Sequence, residues 1–147
     1  MILQKGKWYG KGRLLVDGAS IGEVTEVDLE IDEDPDGYTL SGTLLGDFSG
    51  SVSIRVAPDD VGTYVIDARI AGLALDGVAK LESEPNLGLL WNEGSTQSVS
   101  ISLFRTSNGI GCRGFMYEGG KTRTWEILFQ LKQQVVGGSN VVSLRRR

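Results

Sequence analysis

Four groups of residues have the types and spacing for chemistry. Asp32, Asp34 and Asp36 alternate ahead of Gly37. Alternate carboxylates before a sharp glycine turn are what a hard cation such as calcium needs. The twelfth position of that loop is Thr43, where a helix–loop–helix calcium site requires a bidentate glutamate, and the flanks read as strands. The segment is therefore read as a solvated hairpin turn, and no metal is expected. Glu26, Asp28 and Glu30 form an acidic stripe. Paired carboxylates do acid–base work when one is desolvated, but a solvent-facing strand accounts for the same spacing. Cys112 is the single cysteine and alternates with Ile110 and Met116. That spacing places it with the apolar set, as a buried thiol without an activating base. The last group is Tyr38, Tyr64, Arg69, Trp91 and Tyr117. Amphipathic aromatics and a charge among apolar residues are the kind of side chain that lines ligand pockets. These five are candidates for ligand contact if the elements that carry them enclose a space.

The sequence contains no histidine. That removes Ser–His–Asp and Cys–His catalysis, histidine-based zinc sites and a haem held by a proximal histidine. No catalytic residue and no cofactor is assigned, and the reading leans away from an enzyme.

The elements that must position these residues follow from an apolar pattern with period two almost throughout. It predicts strands over Trp8 to Val16, Glu23 to Ile31, Tyr38 to Leu45, Ser51 to Val56, Thr63 to Ile70, Leu73 to Leu81, Gln97 to Arg105, Ile110 to Glu118 and Thr122 to Leu131. The short apolar run Leu87 to Trp91 is a further candidate. Asp34-Pro35-Asp36-Gly37, Ser107-Asn108-Gly109 and Gly119-Gly120 are turn signatures, because Pro presets φ and Asn or Gly tolerates the left-handed conformation a tight turn demands. No stretch carries a helical period over ten or more residues.

The fold class is all-β: one domain, an antiparallel up-and-down meander of about nine or ten strands closed into a β-barrel, with a two-layer β-sandwich as the alternative. Closure is expected because so many strands in one open sheet leave exposed edges. After Leu131 the alternation stops. Val135-Val136 and Val141-Val142 flank Gly137-Gly138-Ser139-Asn140. The organisation is thus a barrel over 1–131 and a flexible or swapped C-terminal tail over 132–147.

The 147 residues suit one core. A net charge of −4 disfavours free phosphate backbone, and Arg145-Arg146-Arg147 is the one basic cluster, so nucleic acid is not an expected partner. No run reaches the roughly 18 apolar residues of a spanning helix, and no membrane association is expected. A lone cysteine cannot form an internal disulfide, and Met1 to Lys5 lacks a signal-peptide pattern. The expected location is the cytoplasm.

Gly6-Lys7-Trp8 on the first strand resembles the Gly-x-Trp signature of lipocalins and the wider calycin group. The resemblance covers those three residues and one partner. In lipocalins an arginine on the last strand packs over that tryptophan. The resemblance therefore implies a calycin-like barrel in which Trp8 and Arg123 serve closure, with Arg123 against Trp8 by cation–π contact. Trp125 is assigned to closure by its place beside Arg123 on the last strand, where the barrel meets the first. The functional expectation is a non-catalytic barrel binding a small apolar ligand. The alternatives are a structural domain that assembles into homo-oligomers, and a histidine-independent barrel enzyme such as a cyclase or isomerase.

Overall fold

The computed structural model describes residues 1–60 and 62–132. The described chain forms ten strands: β1 (Gly6–Val16), β2 (Glu23–Asp34), β3 (Gly37–Leu45), β4 (Gly50–Pro58), β5 (Tyr64–Ile70), β6 (Leu73–Lys80), β7 (Asn86–Trp91), β8 (Ser98–Arg105), β9 (Ile110–Glu118) and β10 (Lys121–Leu131). Each pairs antiparallel with its neighbours in sequence, and β1 pairs with β10, so the sheet is a closed up-and-down barrel. The single-layer barrel holds, and the sandwich alternative does not. The expectation of a flexible or swapped tail falls, beyond Lys132, outside the described residues. Lys132 itself continues the seam: its N–H donates to the Lys7 carbonyl at 2.7 Å, and its Nζ lies 2.6 Å from Asp28.

The local causes are the ones the alternation implies. Along β5 and β6, Ile66, Ala68, Leu75 and Ala79 are buried while Val65, Asp67, Arg69, Ala74, Asp76 and Val78 face out. Gly119 and Gly120 take φ of 58° and 84°, the twist that joins two right-twisted strands by two residues. At Gly42 a side chain has no room, because a Cβ would stand 1.8 Å from the Asp28 carbonyl oxygen. β2 and β3 approach closely there, as a tightly coiled wall requires.

The barrel has two unlike ends. At one, the connections after β2, β4, β6 and β8 come together with the N-terminal segment. Ile2 and Leu3 are buried in the core. The Ile2 N–H donates to Asn86 Oδ1 at 2.7 Å, and Asn86 Nδ2 donates to the Leu81 and Ser83 carbonyls at 3.2 and 3.1 Å. A buried amide side chain is tolerated because its donor and acceptor are both used. Trp8, 7% exposed, donates its indole N–H to the Gln4 carbonyl at 2.8 Å. These residues fill and cap this end. At the other end lie the loops 17–22, 46–49, 71–72, 92–97 and 119–120.

The expected stacking of Arg123 on Trp8 is corrected. In the β1–β10 ladder Trp8 stands opposite Leu131, whereas Arg123 stands opposite Val16. Eight residues along a strand, at about 3.3 Å each, separate the two, so they mark opposite ends of the barrel. The seam they were expected to close is nevertheless the one that closes, and Trp125 lies on it opposite Leu14.

Trp8→Ala removes a buried ring and leaves a cavity, and should lower unfolding free energy by about 3–5 kcal/mol in urea denaturation. A loss well below about 1 kcal/mol would show that the ring contributes little to the closed end.

Candidate functional site

Ten strands enclose more space than their inward side chains fill. Toward the open end the inward positions are aliphatic: Leu14 of β1, Leu44 of β3, Val52 of β4, Ile70 of β5, Leu73 of β6 and Val99 of β8. Together with Phe48, Met116 and Trp125 they border a partly enclosed cavity of about 220 Å³. Leu3 and Phe129 lie at its inner end. The volume equals roughly seven shares of ~30 Å³, the size of a small organic molecule. Its wall offers almost no polar atom. Cavities of this kind stay dry and take apolar guests.

Two groups with chemistry reach it. Cys112 is buried and borders the cavity. Desolvation pushes its thiol from an ordinary 9.0 up to about 11, and a hydrogen bond with the Trp125 side chain pulls weakly the other way. Such a thiol is protonated and unreactive at neutral pH. Arg123 stands at the mouth with its side chain 26% exposed, and its Nη1 donates to Glu118 Oε1 at 3.2 Å. The second Glu118 oxygen accepts from Gln97 Nε2.

The five residues expected in a pocket are not gathered there. Tyr38 and Tyr64 are half-buried near the filled end, with ring centroids 6.4 Å apart, and neither borders the cavity. Burial raises the Tyr38 pKa, and Glu33 and Tyr64 add to the shift. Arg69 alternates with Ala68 and Ile70 and is exposed. Tyr117 follows inward Met116 and is exposed. Trp91 follows inward Leu90 and lies half-buried on the outer wall. Their expected inward placement is corrected: side-chain parity sends all three outward. Of the closure set, Trp125 and Arg123 lie on the closing seam and also border the cavity.

Of the acidic groups, Asp34, Glu26 and Asp28 have partners elsewhere. Asp34 takes a two-point contact from Arg55, with Nη1–Oδ2 and Nη2–Oδ1 both 3.1 Å, and also accepts the Asp36 N–H at 2.8 Å. Arg55 is the main reason its carboxyl is held below the usual range. Glu26 accepts the Tyr9 hydroxyl at 2.9 Å on the outer wall. Among the described residues no three carboxylate or thiol side chains converge as a metal site. Two larger depressions, of about 670 and 740 Å³, lie on the surface. Arg105, Asn108, Gln130 and Lys132 border the first, and Arg13, Arg113 and Glu126 the second. Neither is as apolar as the interior space.

No protein-family model matches this chain, and no curated protein matches it.

Cys112 gives a pH signature. Between about pH 9 and 11 the unfolded chain loses its thiol proton while the folded chain keeps it. The unfolded state then binds fewer protons, so stability falls as pH rises through this window. In urea titrations Cys112→Ala should flatten that decline, and an unchanged slope would contradict the burial of the thiol.

Proposed function

We propose that this barrel binds a small apolar molecule in its interior and carries out no chemistry on it. The observation that carries the reading is the 220 Å³ space bordered almost wholly by aliphatic and aromatic side chains. A void of that size forfeits packing contacts in the empty protein. A guest restores them and is itself removed from water. The calycin-like relation belongs to the same proposal. Its support is the buried Trp8 of Gly6-Lys7-Trp8 at the start of β1, in an up-and-down barrel. The arginine over that tryptophan is missing from it.

A specific observation also favours assembly into homo-oligomers. Val65 pairs with Val78, Val78 with Leu89, Leu89 with Ser100 and Ser100 with Phe115. These residues form one row across the outside of β5 to β9, and its four apolar members are exposed. Contiguous exposed apolar area of this kind is a feature of contact surfaces. On this second reading Leu89→Lys should lower the mass seen by sedimentation equilibrium. A monomer that sediments identically with and without the change counts against it.

Benzene, small and without polar groups, tests the first reading. At about a hundred times its Kd a ligand that binds only the folded state stabilises it by about 2.7 kcal/mol, which calorimetry reads as a raised Tm. Leu44→Trp should fill the space and abolish the shift without lowering the Tm of the ligand-free protein. A Tm indifferent to benzene, or a shift that survives Leu44→Trp, would overturn the interior site.

A further inference from the structure

Arg123 is the only charged side chain among the described residues bordering the cavity. It comes with a built-in counter-ion. Glu118 ends β9 and Arg123 lies near the start of β10, on either side of the Gly119-Gly120 turn. Their N–O contact is 3.2 Å. Gln97, a neutral amide on the loop before β8, holds the other carboxylate oxygen. Both Glu118 oxygens are thereby engaged, and the carboxylate is kept on the guanidinium. A guanidinium has five N–H donors in a fixed fork, and this contact uses one of them. The mouth of an apolar cavity therefore offers hydrogen-bond donors whose charge is already compensated.

Two kinds of ligand end could use those donors: a carboxylate, or a neutral acceptor such as a carbonyl. A carboxylate would bring a second negative charge beside Glu118 in a half-dry mouth, where like charges repel more strongly than in water. The surrounding end adds to the repulsion. Among the described residues Asp17, Glu23, Asp47 and Glu93 lie on or beside its loops, against two cations besides Arg123: Lys121, and Arg13, whose Nη1 donates to the Gly22 carbonyl. A carbonyl gains the donor and adds no charge. A ligand with no acceptor leaves the donors to water.

We infer that the cavity selects a small, neutral, apolar molecule bearing one hydrogen-bond acceptor, of the ketone, aldehyde or ester class. Its acceptor sits on Arg123, and Glu118 is the residue that excludes the corresponding carboxylic acids. This inference rests on the interior site proposed above.

Three probes share one ring and separate the two ideas: benzene, acetophenone and benzoate, each titrated into the full-length protein at neutral pH and low salt and followed by NMR. Acetophenone should bind about tenfold or more tighter than benzoate, a gap of about 1.4 kcal/mol per factor of ten. Glu118→Gln should raise benzoate affinity by a similar factor and leave acetophenone within about twofold. Arg123→Met should bring acetophenone down toward benzene. In the unaltered protein, added salt should narrow the gap by screening Glu118, a readout that needs no substitution. Benzoate binding as tightly as acetophenone, or a ratio that Glu118→Gln leaves unmoved, overturns the role of Glu118. Benzene binding as tightly as acetophenone overturns the role of Arg123 while the apolar site stands. Failure of all three probes to bind overturns both proposals together.

Discussion

Everything in this molecule depends on the ladder between β1 and β10. It is the contact between the two ends of the described sheet, and it converts a ten-stranded ribbon with two open edges into a wall with none. The register of that ladder, from Trp8 opposite Leu131 to Val16 opposite Arg123, sets what each end contains. One end of the seam holds the buried indole of Trp8. The other holds Trp125 and Arg123, which border the cavity. A slip by one residue would turn every inward side chain of β10 to solvent, so the alternation of Trp125, Ile127 and Phe129 with Thr124, Glu126 and Gln130, broken only by Leu128, helps pin the closure.

The interior divides into a filled half and a hollow half. At the filled end the N-terminal segment folds under the barrel and supplies Ile2 and Leu3, while Asn86 uses its amide to bind the segment down. The hollow half is lined by branched aliphatics too short to meet at the axis. The ion pairs contribute little to this division. Arg113–Glu126 and Lys132–Asp28 lie on the wet wall with their side chains largely exposed, where such pairs are worth at most about 1 kcal/mol. Burial and the continuous ladder hold the fold, and the polar groups that matter are the few forced to face inward.

The strands and turns were legible in the sequence because two local signals agree: period-two alternation, and glycine or proline at each reversal. β7 was the least clear, since Leu87, Leu89 and Leu90 put apolar residues on both faces. In the structure Asn86 and Gly88 share the inward face with Leu90 while Leu87 and Leu89 face out, the reverse of what the apolar count along the strand would give. The cavity was less legible. Tyr38, Tyr64, Trp91 and Tyr117 are of the residue types ligands use, but type does not set direction, and the strand pleat sends Trp91 and Tyr117 out. Trp125 and Arg123 were singled out for closure; they lie on the closing seam and also border the cavity. The Arg123–Trp8 pairing fails for a topological reason. In an up-and-down barrel with an even number of strands, the last strand runs antiparallel to the first, so residues early in both lie at opposite ends. The pairing of Glu118 with Arg123 could have been read from Glu-Gly-Gly-Lys-Thr-Arg, because a two-residue turn brings those side chains to one face.

The ladder that closes the wall also joins residues farther apart in sequence than any other pairing in the described chain. Every other pairing forms between neighbours joined by a short turn, and such local hairpins form quickly. Contacts of high sequence separation come late and slow the reaction. A chain in which this ladder has not yet formed would hold the nine hairpin-linked pairings and leave β1 and β10 as free edges. In that state Leu15, Phe115 and the other outward apolar side chains lie on or near strands that can still accept a foreign ladder. The seam is thus a race between intramolecular closure and edge-to-edge capture. Its outcome depends on protein concentration even though the finished barrel has no edge to offer.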